Sequence, residues 1–402
     1  MATENKKYIP TLRFTEFQND GEWKADTMET IFDIKNGYTP SKSNPSFWDN
    51  GTIPWFRMED IRKNGHILSD SIQHITPAAV KNAGLFPAYS IIVATTATIG
   101  EHALIIVDSL ANQRFTFLTK RKSFDNKLDM MYFHYFMFII DEWCKRNTNA
   151  GGLLSVNMDS FKKLTIPYPS SLSEQKKIAD CFVSIDKEID ATKRKLELLK
   201  EHKKGLMQRL FPAKGKTIPE LRFPEFQNDG EWIPRPLSDI LNYEQPTPYI
   251  VEDDTYKKEG TPVLTANKRF ILGYTDESFG IYNKLPVIIF DDFTTDKKYV
   301  DFSFKIKSSA MKLLTLKDEE RDNLRFIFEC MSNIVFEEKE HKRYYISEYQ
   351  HINIYVPSSL QEQNQIADTL LSIDKQISEY DKKIKALELH KKGLMQQLFP
   401  KL

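Results

Sequence analysis

Residues 9–23 read IPTLRFTEFQNDGEW and residues 218–232 read IPELRFPEFQNDGEW, 13 identities in 15 positions at an offset of 209. A second block, 169–212, aligns without gaps with 357–400 at an offset of 188, sharing 26 identities in 44 that include PSSL, EQ, IAD, SIDK, HKKGLMQ and LFP. Such a repeat constrains the architecture before any local motif does, because both copies must fold alike. The intervening segments, 24–168 and 233–356, share little sequence. The chain therefore reads as a lead-in (1–23), a variable segment (24–168), a conserved helical region (169–217), a repeated lead-in (218–232), a second variable segment (233–356) and a second helical region (357–402).

The conserved closing blocks carry apolar residues at alternating steps of four and three: Ile178, Phe182, Ile185, Ile189, Leu196, Leu199, Leu206 and Leu210. The copy gives Ile366, Leu370, Ile373, Ile377, Tyr380, Ile384, Leu387, Leu394 and Leu398. This is a heptad seam, broken by Thr192, Lys203 and Lys391. Ser171 with Glu174, and Ser359 with Glu362, have the spacing of a capping box, and each block ends at Phe-Pro, where a helix cannot continue. A helix over 178–210 would be about 48 Å long, too narrow-faced to be stable alone in water. Each copy needs a partner, and the other copy is the nearest one.

The variable segments read as mixed α and β. Runs at Ser90–Thr96, Ala103–Val107, Arg114–Leu118 and Pro286–Phe290 have strand composition between Gly, Pro, Asn and Asp. An aromatic-rich stretch in each, Leu128–Trp143 and Leu324–Phe336, predicts a buried helix. Phe161, Leu164 and Ile166 align with Tyr349, Ile352 and Ile354, so the two segments are expected to be versions of one fold.

The 402 residues allow two to four domains at roughly 100–200 residues each. Lys and Arg number 56 and Asp and Glu 56, so no bulk field draws the chain to a polyanion, and local patches must hold one. Cys144, Cys181 and Cys330 are far apart and form neither a disulfide framework nor a zinc knuckle. The start lacks an apolar signal core and the longest apolar stretch, Met131–Ile140, is short for a bilayer span. The expected setting is soluble and cytoplasmic, with no membrane partner.

No GxxxxGK[ST] loop and no strand-borne GxGxxG occurs. Asn44-Pro-Ser-Phe47 has the outline of an adenine-methyltransferase tetrad but sits in a Pro/Ser/Asn-rich loop, and is read as a turn. Asp291, Asp292 and Asp296-Lys-Lys298 could be taken for a metal-dependent nuclease cluster, but the compressed spacing favours a polar loop. No catalytic residue and no metal site is assigned. Binding chemistry remains. The DNA-contact candidates are Lys42, Arg57, Arg62, Asn112, Gln113, Arg114, Lys120 and Arg121 in the first segment, with Lys268, Arg269, Lys297, Lys298, Lys342 and Arg343 in the second. Cations neutralise phosphates, and Arg, Asn and Gln make the bidentate contacts that read base edges.

Two unlike segments, each preceded by LRFxEFQNDGEW and followed by a long heptad helix, resemble the specificity subunit of type I restriction-modification systems over essentially the whole chain. The carriers are Gly37-Tyr-Thr-Pro-Ser41, Ile53-Pro-Trp55, Ala111-Asn-Gln113, the junction Pro167–Ala179, and HKKGLMQRLFP with its copy. The resemblance implies an α+β chain in which two mixed α/β target recognition domains, related by a pseudo-twofold repeat, are joined by two long helices paired as an antiparallel coiled coil. Each domain would read one half of a bipartite double-stranded DNA site. It further implies docking of two modification (methyltransferase) subunits and of restriction (motor-nuclease) subunits. The chain itself would carry no cofactor, S-adenosylmethionine, ATP and Mg²⁺ belonging to those partners. The alternative is a stand-alone two-headed DNA-binding repressor or scaffold.

Overall fold

The computed structural model describes residues 8–81, 84–149, 154–265, 269–337 and 342–402. The chain divides into two compact units, Met1–Thr192 with Lys383–Leu402, and Lys193–Lys382.

In the first unit, β1 (Lys24–Thr27), α1 (Met28–Ile31) and β2 (Phe32–Asn36) precede β3 (Ile53–Phe56), α2 (Met58–Asn64), β4 (Ile67–Leu68) and β5 (His74–Ile75). Then come β6 (Ser90–Ala94), β7 (His102–Ile105), β8 (Leu110–Ala111), β9 (Phe115–Lys120), α3 (Met130–Arg146), α4 (Met158–Lys162), β10 (Thr165–Tyr168) and α5 (Leu172–Leu210), which belongs to this unit as far as Thr192. The strands make a five-stranded sheet in the order β2-β9-β6-β7-β4, a three-stranded sheet β5-β3-β8 and the antiparallel pair β1-β10. The run SIIVA of β6 is buried on both faces, which accounts for its unbroken apolar sequence.

Among the described residues the second unit has the same plan without counterparts of β4, α2 and α4. Its elements are β11 (Ile233–Pro236), α6 (Leu237–Ile240), β12 (Leu241–Glu244), β13 (Thr261–Leu264), β14 (Ile271–Thr275), β15 (Val287–Asp291), β16 (Lys297–Val300), β17 (Lys305–Ile306), β18 (Met311–Leu316), α7 (Leu324–Ser332), β19 (Asn353–Val356) and α8 (Leu360–Leu398). The sheets are β12-β18-β15-β16, β14-β13-β17 and β11-β19. The four-stranded sheet repeats the β2-β9-β6-β7 order, so the two variable segments share a topology that their sequences conceal. The aromatic stretches form α3 and α7, with altered ends. Asp129 caps α3 at Tyr132, and α7 stops at Ser332, leaving Phe336 to pack on the core outside the helix.

Each conserved block is one 39-residue helix. In the first unit Asp186 pairs with Lys391 (2.6 and 2.8 Å) and Glu188 with Lys383 (2.5 Å), so α8 runs antiparallel to α5. In the second, Lys203 pairs with Asp374 (2.7 and 2.8 Å) and Lys195 lies over Tyr380, again antiparallel. The lysines that break the heptad are thus the partners in two repeat-related ion pairs. The third interruption, Thr192, is buried and donates to its own helix at Glu188 O. Along the predicted seam every residue is buried or half-buried. Each helix ends by lodging the phenylalanine of LFP in a unit's core: Phe399 on Phe182, Tyr132 and Phe136, and Phe211 on Trp232 and Phe326.

The capping boxes form only by half. Glu174 N–H and Glu362 N–H bond Ser171 Oγ and Ser359 Oγ at 3.4 Å, but the glutamate carboxylates turn away. Glu174 takes a two-pronged bond from Arg13 (2.7 Å twice), and Glu362 takes one from Arg222 (2.8 and 2.7 Å). A buried bidentate guanidinium pair outcompetes a helix-end N–H, and it ties each lead-in to the helix that closes its half. The same arginines donate to the carbonyls of Asp20 and Gly21, and of Asp229 and Gly230.

At the start of β7, His102 bridges Asp141 Oδ2 (2.6 Å) and the carbonyl of His134 (3.0 Å), while His66 bonds the carbonyl of His102. Burial pushes His134 well below the ordinary histidine value, and burial lowers His66 against the opposing effect of its bond to the His102 carbonyl. Both hold a proton less readily in the folded protein than in the unfolded chain. Their stabilisation is therefore complete above about pH 6.5 and lost as pH falls, by up to about 1.4 kcal/mol per pH unit per group. Burial raises Asp141, which acts in the opposite sense on the acidic side. Denaturant midpoints should fall between pH 7.5 and 5.5, and His134→Phe should flatten that dependence; an unchanged slope would refute it.

Candidate nucleic-acid interface

The three short motifs of the first segment meet at one place. Gly37 N–H bonds Phe115 O at 2.9 Å, and a Cβ there would collide with the carbonyl oxygens of Ala111 and Asn112, so only glycine permits the approach. Trp55 Nε1 donates to Tyr38 O (3.0 Å), Asn112 N–H donates to Phe56 O (3.1 Å), and the Thr39 hydroxyl donates to Gln113 Oε1. Residues scattered over 37–113 thereby form a single framework just before β9.

Next to it lies a polar cleft of about 430 Å³, lined among others by Asn36, Thr95, Thr96, Gln113, Asn149 and Asn157. The turn after β6 shapes one wall, with Ala97 held at a φ of 66°. Asn36 terminates β2 and Asn157 caps α4, so backbone elements position both amides. The structure brings Gln113 to this cleft from among the predicted contacts; Asn36 and Asn157 are not among them, being uncharged and outside the basic clusters of the sequence.

The remaining candidates separate into exposed and engaged groups. Lys42, Arg62, Arg114, Arg269 and Lys298 are exposed. Arg343 is exposed near the Phe293 ring. Arg57 pairs with Glu59 (2.8 Å) at the start of α2, and Asn112 Oδ1 holds the backbone of Arg114. Lys120 donates to Leu128 O, Arg121 to the carbonyls of Glu29 and Phe32, and Lys342 pairs with Glu348. Lys297 donates to the Tyr349 hydroxyl (3.3 Å), and its burial lowers its pKa. Lys268 lies outside the described residues. The engaged cations brace loops; the exposed ones have heads available for a polyanion.

Asn44 caps the 3₁₀ turn Pro45–Phe47 through Ser46, as a turn residue does. Asp291 accepts from the backbone of Phe293 and Thr294, while Asp292 accepts from Tyr345 N–H and pairs with the buried Lys312 (3.3 Å). Among the described residues no group of three His, Cys, Asp or Glu is arranged to hold a metal, and no helix is long and apolar enough to cross a membrane.

The family model described as "Type I restriction modification DNA specificity domain" matches residues 20–201. The chain is 48% identical over 171 residues to the type I restriction enzyme EcoprrI specificity subunit of Escherichia coli, covering 42% of each chain. It is 48% identical over 146 residues to the EcoR124I/EcoR124II specificity subunit of the same organism, covering 34% of this chain and 36% of that one. The matches thus span about two-fifths of these relatives. A solved type I S subunit from M. genitalium superposes with a TM-score of 0.67 over 98% of this chain and 99% of that one at 15% identity, a likeness of fold. The stretch 20–201 thus carries a type I restriction modification DNA specificity domain, and over parts of its length the chain is similar to type I restriction enzyme specificity subunits.

Proposed function

We propose that this chain is the non-catalytic DNA-recognition subunit of a type I restriction-modification complex, each variable segment reading one half of a bipartite target. The observation that carries the reading is the pairing of one topology with two unlike sequences, each held by the same arginine–glutamate clamp. Conserved mounts around divergent surfaces are what a protein needs to read two different sequences with one scaffold. Two modification subunits and the restriction subunits are its partners in this reading. They would supply S-adenosylmethionine, ATP and Mg²⁺, and the setting is the cytoplasm. The exposed Lys42, Arg62, Arg114, Arg269, Lys298 and Arg343 are available for phosphate or base contacts.

Methylome sequencing of cells carrying the chain with its modification subunits tests this. The expected result is adenine methylation at two short half-sites separated by a fixed gap. A continuous target, or methylation independent of this chain, would overturn it. Strong sequence-specific gel shifts by the isolated chain, without any methylation in the complex, would favour a repressor instead.

A further inference from the structure

Three carboxamides of the cleft in the first unit share an orientation that restricts what they can recognise. Asn36 Oδ1 accepts from Thr116 Oγ1 at 2.9 Å, Asn157 Oδ1 accepts from the Ser160 backbone N–H at 3.0 Å, and Gln113 Oε1 accepts from the Thr39 hydroxyl. A backbone N–H can only donate, so it fixes which end of Asn157 is oxygen. All three residues line the cleft, and each has its oxygen engaged within the protein, leaving the NH₂ end to meet a ligand. The fourth lining amide, Asn149, instead donates its NH₂ to Ser155 Oγ at 3.5 Å, so three of the four amides present donors. The cleft's one lining carboxylate, Asp159, would repel a phosphate, and no lysine or arginine lines it.

We propose that this cleft reads the acceptor edge of guanine or thymine in the half-site of the first variable segment. Guanine offers N7 and O6 in the major groove and thymine offers O4, all acceptors. Bidentate reading of adenine needs the amide oxygen as well as the nitrogen, and the internal bond leaves each of these oxygens only one lone pair for it. The proposal rests on the DNA-recognition reading above and adds to it the residues and the base class.

The test uses the complex of the chain with its modification subunits. Asn36→Asp, Gln113→Glu and Asn157→Asp keep the internal acceptor and shape but replace the outward donor by an acceptor; Gln113→Met removes the donor without adding charge. Methylation rates are measured on the wild-type target and on every single-base variant of both half-sites, at two salt concentrations. The expected result, for at least one variant, is a loss of about 10- to 100-fold on the wild-type target that maps to one position of one half-site. For the acidic variants, tolerance at that position should move towards adenine or cytosine, whose amino groups donate. The other half-site should be unaffected. Equal loss on all sequences would mark a backbone contact or charge repulsion and overturn the proposal, as would unchanged preference in all four variants. A wild-type complex that methylates with no sequence preference would instead remove the recognition reading, and this proposal with it.

Discussion

Glu174→Ala is expected to destabilise the first unit by about 3–5 kcal/mol, because it leaves a guanidinium largely withdrawn from water without its partner. The Arg13 side chain is 13% exposed and that of Glu174 1%. Glu174 also accepts from Trp23 Nε1 at 3.3 Å, so its loss frees a buried indole donor too. The repeat-related change, Glu362→Ala, removes the equivalent clamp from the second unit, where Arg222 and Glu362 are 7% and 1% exposed. There Trp232 Nε1 has no hydrogen-bond partner, so the loss should be somewhat smaller than for Glu174→Ala. Denaturant titration followed by tryptophan fluorescence reads both. Losses below about 1 kcal/mol would mean that the lead-ins are not clamped in this way.

Replacing residues 24–168 by the matching segment of a related chain should change one half-site completely and leave the other intact. The structural reason is that a conserved glutamine grips each variable segment by its backbone. Gln175 Nε2 donates to Lys127 O (2.7 Å) and Pro169 O (2.8 Å), and its Oε1 accepts from Asp129 N–H (2.7 Å). Gln363 repeats this with Arg321 O (3.2 Å), Pro357 O (3.3 Å) and Asn323 N–H (2.9 Å). Main-chain contacts are indifferent to the side chains of the segment they hold. Compatibility must come instead from the few side chains that touch the coil. Tyr135 donates to Asp186 at 2.9 Å in the first unit, and Arg325 pairs with Asp374 in the second. A chimera of the first segment that lacks a partner for Asp186 should assemble poorly while still exchanging specificity. Methylome sequencing of the chimeric complex checks the prediction, and a change in both half-sites would defeat it.

The heptad and the repeat were legible because each uses many positions that point the same way. Single pairings were not. Ser171 and Glu174 satisfy the capping-box spacing, yet the carboxylate goes to Arg13, 161 residues away in sequence. No local rule contains that competitor. Basic clusters show the same limit: Lys120, Arg121 and Lys297 have the composition of phosphate contacts, and in the fold they also donate to nearby carbonyls and a tyrosine hydroxyl that no local rule names. The amides Asn36 and Asn157 carry no charge and no motif, so only their convergence with Gln113 draws attention to them.

The sequence alone determined the two-fold plan of the chain, the two long helices, their apolar seam and their need for each other, because periodicity and repetition are properties of residue order. It also determined that the variable segments share a plan, through a handful of aligned apolar positions. Only the tertiary structure decided that Lys203 and Lys391 are register-setting partners of Asp374 and Asp186, that Glu174 and Glu362 hold arginines rather than helix ends, and which way three amides face. Those outcomes depend on which group reaches a polar atom first across long stretches of chain, and hydrogen-bond competition of that kind is settled by distance in the folded state.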